Sequence, residues 1–313
     1  MFLVYQGNGV IIVEFYGGLG NQMLQYAFYK ALKEKYPLTK IKVDITRCTA
    51  HYGFELPKIF DIKLDVVTKW EYIKLGKMIL LFNSNGFIQK ILNSIICSFI
   101  KYKQNKLIYM RDENFFNFNS KYFNLDTKSN YYLSSCWFTE GYFNHIKEML
   151  LLDFQIPEST YNSSVLKGIT NSESVSVHLR RGDYINTEYD VLTIDYYKKA
   201  IDYINSKVNS PLFFIFSNDI EYAENAFNFL QNKVIVSENQ GQDSYKDIFF
   251  MSKCKHNINA NSSFSFWGAY LNCNKNKIVI APNIYLRSRE DYPTCTGWEI
   301  IDCKNNYPEV KVI

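Results

Sequence analysis

The chain of 313 residues lacks the paired cysteines that disulfide frameworks and structural zinc sites require. Its seven cysteines are odd in number and widely scattered, and no C-x-x-C spacing occurs. Reduced thiols of this kind predict a cytoplasmic protein. A single C-x-H, formed by Cys254 and His256, offers too few ligands for a metal ion. We therefore predict that the protein has no metal site.

Long apolar runs are also missing. The most apolar segment, residues 77–101, is interrupted by polar side chains and leaves no uncharged span of about 18 residues. We therefore predict no transmembrane segment, and we interpret residues 77–101 as amphipathic helices that permit peripheral contact with a membrane. The start of the chain lacks the basic segment and apolar core of a signal peptide.

No charge of one sign is concentrated in the sequence. Lys and Arg number 35 and Asp and Glu number 31, which gives a net charge of +4. Nucleic-acid binding requires Lys and Arg clustered on one face, and the sequence has no such cluster. A nucleic-acid partner is therefore not expected, whereas a small anionic ligand is compatible with this charge.

The chain is rich in apolar and aromatic residues, arranged as alternating strands and helices. Its length and its 47% hydrophobic content are sufficient for two α/β domains. Strands separated by helices predict βαβ units and parallel sheets. A polar stretch near residues 155–173 predicts a boundary between an N-terminal domain, 1–158, and a C-terminal domain, 159–313. The clearest predicted elements are strands at 10–16, 41–45, 131–138, 174–179, 211–219 and 277–282, and helices at 21–36 and 195–208.

A glycine turn separates the first predicted strand from the first predicted helix. Gly17, Gly18 and Gly20 allow close approach to the backbone, and Asn21 stands where the helix is predicted to begin. The spacing does not match the G-x-G-x-x-G dinucleotide fingerprint. Two interpretations stay open, a ligand loop at a helix N-terminus and a tight turn capped by Asn21.

The segment VSVHLRRGDY, residues 175–184, is the most informative part of the chain. Its apolar alternation predicts a buried strand that delivers His178, Arg180, Arg181 and Asp183 to its C-terminal end, where open α/β sheets bind ligands. Two adjacent guanidinium groups suit a diphosphate, because each pairs phosphate oxygens bidentately. The alternative is a solvated turn with a structural Arg–Asp pair.

Two further segments place polar side chains directly after predicted strands. Asp219 follows FFIFSN, where it can accept hydrogen bonds from a base or sugar or cap the next helix. A strand-to-helix transition carries hydroxyl groups and free N–H groups that suit phosphate, at Ser262, Ser263, Phe264 and Ser265. The alternative is again helix capping, with Phe264 in the core.

Taken in their order along the chain, these motifs resemble the α-1,2-fucosyltransferases of glycosyltransferase family 11. The resemblance is carried by GGLGNQMLQYAFYKAL, HLRRGDY, TIDYYKKAI, FIFSNDIEYAE and NSSFSFWGAYL, and it is weakest over residues 63–130. It implies an α/β fold of the GT-B type, with two Rossmann-type domains facing a central cleft. It also implies inverting transfer of fucose from GDP-β-L-fucose to the 2-hydroxyl of a terminal galactose. No cofactor or metal is implied, which agrees with the absence of a D-x-D triplet.

The resemblance also assigns roles to particular residues. Arg180 would stabilise the negative charge of the departing β-phosphate, and Asn21 would orient the acceptor. In related core-type fucosyltransferases an acid lies ten positions after the motif histidine, which makes Glu188 the candidate base here. The implied donor-binding residues are His178, Arg181, Asp183, Asp219, Ser262, Ser263, Phe264, Ser265 and Gly20.

The implied partners are GDP-fucose and a galactose-terminated oligosaccharide, with residues 38–155 supplying most of the acceptor surface. The chain resembles the bacterial cytosolic members that decorate polysaccharide repeats, as in O-antigen biosynthesis. Three alternatives stay open. They are a non-catalytic nucleotide-sugar-binding protein, a fucosyltransferase of different linkage, and a Rossmann-type oxidoreductase with Asp44 as the ribose-binding acid.

Overall fold

The computed structural model describes residues 9–74, 107–114, 116–156 and 163–303. Contacts between residues divide the chain into two compact units. Unit 1 comprises Met1–Trp137 and Gly141–Lys147, and unit 2 comprises Phe138–Glu140 and Glu148–Ile313. The predicted boundary at residues 158 and 159 lies outside the described residues, and so does the amphipathic segment 77–101.

Unit 1 is built on a parallel sheet of four strands. These are β1 (Val10–Tyr16), β2 (Lys40–Arg47), β3 (Leu107–Arg111) and β4 (Asn130–Ser134). The strand order is β2-β1-β4-β3, and every pairing is parallel. Unit 1 also contains the short helices α2 (Leu56–Ile59) and α3 (Lys69–Lys74) and 3-10 helices at Ser120–Phe123 and Asn144–Ile146.

Helix α1 (Leu19–Lys35) follows β1 and carries the core of unit 1. Leu24, Phe28 and Leu32 recur at helical spacing and are fully buried. The helix begins two residues before its predicted start at 21. Gly18 occupies the N-cap position, and no side chain caps the helix there. The interpretation of Asn21 as the cap is therefore wrong, because Asn21 lies inside the first turn.

Unit 2 contains a parallel sheet of six strands. These are β5 (Ser174–Leu179), β6 (Leu212–Ser217), β7 (Lys233–Val236), β8 (His256–Ile258), β9 (Val279–Pro282) and β10 (Glu299–Ile301). Its helices are α4 (Lys147–Asp153), α5 (Ser164–Thr170), α6 (Ile194–Lys207), α7 (Ile220–Ala226), α8 (Lys246–Lys253) and α9 (Ser263–Tyr270). The prediction of parallel α/β sheets is confirmed in both units.

The strand order of unit 2, β10-β9-β8-β5-β6-β7, positions its functional residues. The chain runs outward from β5 through β6 to β7, then crosses back to β8 on the other side of β5. The C-terminal ends of β5 and β8 therefore flank a topological switch point, where open α/β sheets form their ligand crevice. The loops that leave these two strands are HLRRGDY and NSSFSF.

Candidate functional site

His178 lies at the C-terminal end of β5, the central strand of unit 2. Only 4% of the residue is exposed. Burial, together with the positive charge of Arg180, lowers the pKa of the imidazole to about 3, so His178 is neutral at physiological pH. Its Nδ1 has no hydrogen-bond partner among the described residues, and its ring stacks on Phe264 at a centroid distance of 5.6 Å. A neutral imidazole of this kind can bind a ligand without adding charge.

Arg180 points a partly buried guanidinium into the same region. Its Nη2 donates to Oδ2 of Asp183 at 2.8 Å, and the guanidinium carbon lies 5.5 Å from the ring centre of Tyr184. The Nε atom is buried and has no partner within the described ranges. Asp183 therefore holds one edge of the fork while another N–H donor is left for a ligand.

Arg181 has different partners from its neighbour. Its Nε lies 3.4 Å from Oδ2 of Asp219, and its guanidinium covers the ring of Tyr222 at 3.7 Å. Asp219 also caps α7, because its Oδ1 accepts a hydrogen bond from the Tyr222 N–H at 3.1 Å. Asn218 accepts from the Arg181 N–H at 3.0 Å. These contacts fix the loops after β5 and β6 to each other.

The loop after β8 brings the serine cluster to the same end of the sheet. Ser262 is the N-cap of α9, where its Oγ accepts from the Phe264 N–H at 3.2 Å. Ser265 is fully buried and its hydroxyl donates to backbone carbonyls of Ala260 and Ser262. Ser262 therefore caps α9, and the N-terminus of α9 lies at the C-terminal end of β8, where its partial positive charge suits an anion.

Asn259 is a residue of this region that the sequence motifs did not single out. It is 3% exposed, and its Nδ2 has no partner within the residues that the structure describes. Its carbonyl accepts a hydrogen bond from the buried Tyr196 hydroxyl at 2.6 Å, which fixes the strand end. With Ser262 and Phe266 it lines a crevice of about 250 Å³, a volume that includes the opening to solvent. Its signal in the sequence was weak, because the segment HNINAN contains three asparagines and Asn259 directly follows β8.

Glu188 lies on the exposed loop that follows the arginine motif. Its carboxylate accepts a hydrogen bond from the Ser288 hydroxyl at 2.8 Å, and its carbonyl accepts from the Arg287 N–H at 3.0 Å. Arg287 further donates from Nη2 to the carbonyl of Asp190 at 2.6 Å. These hydrogen bonds connect Glu188 to the loop after β9, and none of the hydrogen bonds of the described residues connects it to Arg180.

The glycine loop belongs to unit 1 and lies at the C-terminal end of β1. Gly17 has a φ of +77°, and a Cβ there would lie 2.6 Å from Nδ2 of Asn21. A Cβ on Gly18 would lie 2.7 Å from Cδ2 of His51. Gly20 is buried in the first turn of α1. The positive φ of Gly17 favours glycine at this position, whereas a Cβ on Gly18 would displace the exposed His51 side chain.

Two buried glutamines of α1 hold the backbone around this loop. Gln22 donates from Nε2 to the carbonyls of Gly17 and Gly53 at 2.9 and 2.8 Å, and its Oε1 accepts from the Glu55 N–H at 2.9 Å. Gln25 binds both backbone groups of Tyr16. The sequence signal that could have identified these two residues was a polar side chain on the buried side of the predicted helix.

Asp44 does not have the surroundings of a ribose-binding acid. It is 1% exposed, and its carboxylate accepts from the Tyr132 hydroxyl at 2.6 Å and from the Thr46 N–H and hydroxyl at 2.9 and 2.7 Å. These hydrogen bonds hold the pKa of Asp44 below its ordinary value against the opposing effect of burial. The Asp44 carboxylate therefore forms structural hydrogen bonds inside unit 1.

Two searches of the described residues bear on cofactors and membranes. In those parts of the chain, no group of three or more His, Cys, Asp and Glu residues could hold a metal ion. Within the same ranges, every helix is too short or too polar to cross a bilayer.

Each of the two units is an α/β unit with a parallel sheet, and two arginines follow β5 at the switch point of unit 2, an architecture consistent with the GT-B class of fold. The crystal structure of the fucosyltransferase NodZ from Bradyrhizobium has the same fold. It superposes with a TM-score of 0.50 at 14% sequence identity, covering 83% of this chain and 91% of that one.

The family follows from the sequence comparisons. The model of glycosyl transferase family 11 matches residues 10–299. The O-antigen biosynthesis glycosyltransferase WbnK of Escherichia coli is 34% identical over 285 residues, which cover 85% of this chain and 91% of that protein. An α-1,2-colitosyltransferase of Escherichia coli is 32% identical over 293 residues, 90% of this chain and 94% of that protein. The chain belongs to glycosyltransferase family 11, and this membership replaces the oxidoreductase alternative.

Proposed function

We propose that this chain transfers L-fucose from GDP-β-L-fucose to the 2-hydroxyl of a terminal galactose, with inversion and without a metal ion. The observation that carries the proposal is the arginine motif at the switch point of unit 2. Arg180, His178 and Asn259 each present a buried polar atom that has no partner among the described residues. Buried polar groups are nearly always hydrogen-bonded, so these unsatisfied polar atoms at the C-terminal ends of β5 and β8 favour a polar ligand at this end of the sheet.

The diphosphate of the donor matches the charge of this edge. In transfer, the bond between C1 of the sugar and the β-phosphate oxygen breaks, and negative charge develops on the leaving group. Arg180 is suited to stabilise that charge, because Asp183 orients its fork and its Nε remains available. Neutral His178 can hydrogen-bond the donor without opposing the charge of Arg180. Arg181, paired with Asp219, shapes the same loop.

The identity of the sugar is the part of the proposal with a close competitor. One relative that aligns over 90% of this chain is an α-1,2-colitosyltransferase. Colitose differs from L-fucose only in lacking the 3-hydroxyl, so a family 11 site can be built for either sugar. Colitosyl transfer with the same linkage is therefore the second candidate function.

The acceptor and the location follow from the resemblance to bacterial members of the family. We assign a galactose-terminated oligosaccharide of a polysaccharide repeat as acceptor, since one relative acts in O-antigen biosynthesis. Modification of such a repeat before export places the reaction in the cytoplasm, at the inner face of the membrane. This location agrees with the scattered cysteines of the chain.

The test measures GDP release from GDP-fucose and from GDP-colitose in the presence of EDTA, with and without lactose. Acceptor-stimulated release from GDP-fucose, with an α-1,2-linked product, is the expected result. Arg180→Ala should reduce it by about 10²–10³-fold. Arg289→Ala is the matched control, because this arginine of unit 2 also pairs with an aspartate, Asp291, and should leave release unchanged.

Three other results would change the assignment. Faster turnover of GDP-colitose than of GDP-fucose would favour the second candidate. Activity that disappears in EDTA and returns with a divalent cation would contradict the metal-free mechanism. Binding of GDP-fucose by calorimetry, without turnover with lactose, N-acetyllactosamine or lacto-N-biose, would favour a non-catalytic nucleotide-sugar-binding protein.

A further inference from the structure

Two adjacent strands of unit 2 are followed by side chains that each carry an unsatisfied polar atom. Strands β5 and β8 pair in parallel, and Val177 lies opposite Ile258 in the last paired position. The next residues are His178 and Asn259, which are 4% and 3% exposed. His178 Nδ1 and Asn259 Nδ2 are buried, and neither has a hydrogen-bond partner within the described residues. Because buried polar atoms are nearly always hydrogen-bonded, both atoms indicate a polar partner at this end of the sheet.

The two side chains project from the same face of the sheet. Residues two positions apart in a strand share a face, and Nδ2 of Asn257 donates to Oγ of Ser176 at 2.7 Å on this face. His178 and Asn259 each lie two residues beyond this pair. The Asn259 N–H donates to the Ile280 carbonyl of β9 at 2.8 Å, so the strand direction continues to Asn259. Neighbouring strands are about 4.8 Å apart, which makes His178 and Asn259 adjacent.

One helix fixes the backbone at both strand ends. Tyr196 and Tyr197 are consecutive residues of α6, and their hydroxyls donate to the carbonyls of Asn259 and His178 at 2.6 and 3.1 Å. The ring of Phe264, on α9, stacks on the imidazole of His178. A ligand that binds these two side chains therefore meets a site whose backbone is already ordered, which lowers the entropic cost of binding.

A hydroxyl group can satisfy both atoms at once. The amide nitrogen of Asn259 is a donor, so its partner must offer a lone pair. The imidazole of His178 is neutral, and its Nδ1 is an acceptor in one tautomer and a donor in the other. A hydroxyl both donates and accepts, so it fits either tautomer. A phosphate or carbonyl oxygen only accepts, so it fits one of them.

Asn259 also lies in the wall of a crevice that opens to solvent. Four aromatic residues contribute to its lining, namely Phe138, Phe266, Tyr285 and Trp298. The volume of the crevice is about 250 Å³, including its opening. Walls of apolar rings with a few polar groups are typical of small-molecule sites. A ring that carries hydroxyl groups can therefore approach Asn259 from solvent.

We propose that Asn259 is a specificity-determining residue that binds one hydroxyl group of the nucleotide sugar jointly with His178. The inference rests on the proposed function, which supplies a ligand with hydroxyl groups on its ribose and on its transferred sugar. The Asn259 amide donates to the hydroxyl oxygen, and the same hydroxyl completes the hydrogen bonding of His178 Nδ1. A ligand without this hydroxyl leaves both atoms unsatisfied, so it binds more weakly.

The test measures binding by calorimetry for the parent protein and three variants. The ligands are GDP, 2′-deoxy-GDP, 3′-deoxy-GDP, GDP-fucose and GDP-colitose. Asn259→Leu keeps a branched side chain without the amide, and Asn259→Ala only removes atoms, so one variant remains if the other does not fold. Ser176→Ala is the matched control, because it removes a buried polar group on the same face whose partner is Asn257 within the fold.

We expect the parent to bind the ligand that carries the hydroxyl about 5–150-fold more tightly than the analogue that lacks it. The Asn259 variants should bind the two alike, and Ser176→Ala should keep the preference of the parent. Weaker binding of both GDP and GDP-fucose by the Asn259 variants assigns the hydroxyl to the ribose, and the deoxy analogues identify its position. Weaker binding of GDP-fucose alone assigns it to the 3-position of the sugar, whereas weaker binding of both nucleotide sugars assigns it to another position.

Thermal unfolding without ligand separates this role from a structural one. Asn259→Leu removes a buried amide that has no partner among the described residues, so it should not lower the stability of the unliganded protein. Lower stability in both Asn259 variants, with the ligand preference of the parent unchanged, shows that the amide serves the fold.

Three binding results overturn the inference. Equal affinities of the parent and the Asn259 variants for every ligand show that Asn259 binds no part of the nucleotide sugar. An equal loss for GDP and both of its deoxy analogues, with no further loss for the nucleotide sugars, shows that Asn259 contacts the base or a phosphate. In both cases binding by the parent leaves the proposed function standing. Failure of the parent to bind GDP, GDP-fucose and GDP-colitose overturns the proposed function together with this inference.

Discussion

His178 and Arg180 show how a position at a strand end changes the chemistry of a side chain. An exposed histidine would titrate near neutrality, but burial and the adjacent guanidinium keep His178 neutral. Its carbonyl is held by the Tyr197 hydroxyl at 3.1 Å, as that of Asn259 is held by Tyr196. The two neighbouring tyrosines of α6 thus fix the ends of β5 and β8.

Replacement of Arg180 by lysine should fail to preserve activity. Lysine keeps a positive charge but loses the planar fork that binds Asp183 on one edge and leaves Nε available on another. We expect the turnover number of Arg180→Lys to fall by about 10²–10³-fold, and steady-state GDP release measures it. Turnover near the parent level would show that a point charge is sufficient.

Asp247 is a buried acid of unit 2 that is protonated at neutral pH. Burial raises the pKa of its carboxyl to about 8, in spite of a 2.8 Å hydrogen bond from the Asn239 amide. The unfolded chain releases this proton near the ordinary pKa of 3.8. Between pH 3.8 and about pH 8 the folded state binds more protons than the unfolded state. The contribution of Asp247 to the free energy of unfolding therefore decreases as the pH rises through this window.

Asp247→Asn should remove this pH dependence. Asparagine retains an oxygen that accepts from Asn239, and it carries no charge at any pH. We expect the variant to gain thermal stability relative to the parent as the pH rises from about 5 to about 8. Thermal unfolding of both proteins across this range measures the difference. A constant or shrinking difference would indicate that Asp247 is ionised in the folded protein at neutral pH.

The segment from β1 to α1 shows how an unusual helix start is stabilised. No side chain caps α1 at Gly18, and Gln22 and Gln25 satisfy backbone groups of the preceding residues instead. Both glutamines are fully buried. The two glutamines of α1 therefore hold the glycine loop through hydrogen bonds, which apolar side chains at these positions could not form.

Gln22→Met should destabilise the protein and disturb the glycine loop. The change leaves the carbonyls of Gly17 and Gly53 and the N–H of Glu55 without this partner, at about 1–3 kcal/mol for each buried group left unsatisfied. Denaturant unfolding measures this loss. Gln25→Met is the matched control, since it removes two bonds to Tyr16 and none to the turn 50–53.

The two variants should differ in catalysis more than in stability. Transfer should fall further in Gln22→Met, because Gln22 alone of the two glutamines binds Gly53 and thereby joins the glycine loop to the turn 50–53. Equal transfer rates in the two variants would show that the link to the turn 50–53 has no part in the reaction.

The path of the chain joins the two units at three places. It leaves unit 1 after Trp137, returns at Gly141 and leaves again after Lys147. The intervening segment, Phe138–Glu140, belongs to unit 2. There Phe138 packs edge-to-face on Phe266 and Tyr285, at centroid distances of 5.0 and 5.3 Å. The Glu140 carboxylate accepts hydrogen bonds from the N–H and the hydroxyl of Thr296 at 2.7 Å each.

Phe138→Ala should therefore weaken unit 2, although the residue immediately follows unit 1 in sequence. The side chain is 1% exposed, and removal of a buried phenylalanine costs about 3–5 kcal/mol of unfolding free energy. Denaturant unfolding measures the loss. Phe229→Ala, at a phenylalanine of unit 2 that is 41% exposed, should have a much smaller effect. Similar losses in both variants would contradict the assignment of residues 138–140 to unit 2.

Local patterns predicted the strands that are long and buried on both faces. Residues 174–179 and 212–217 carry near-continuous apolar or small side chains, which is typical of central strands in a parallel sheet. Strands β3 and β10 were not predicted. β3 is a partly exposed edge strand without clear alternation, and β10 has three residues, too few for a periodic signal.

The amino-acid sequence by itself determined the α/β class, the family motifs and the position of Arg180 and Arg181 directly after β5. These properties depend on side-chain periodicity and on short motifs, which neighbouring residues set. Only the tertiary structure decided that β8 pairs with β5 and makes the switch point, and that Gln22 joins residues 17 and 53. Strand order and buried hydrogen bonds join residues far apart in the chain, so packing decides which of them meet. Asn259 became a candidate for that reason.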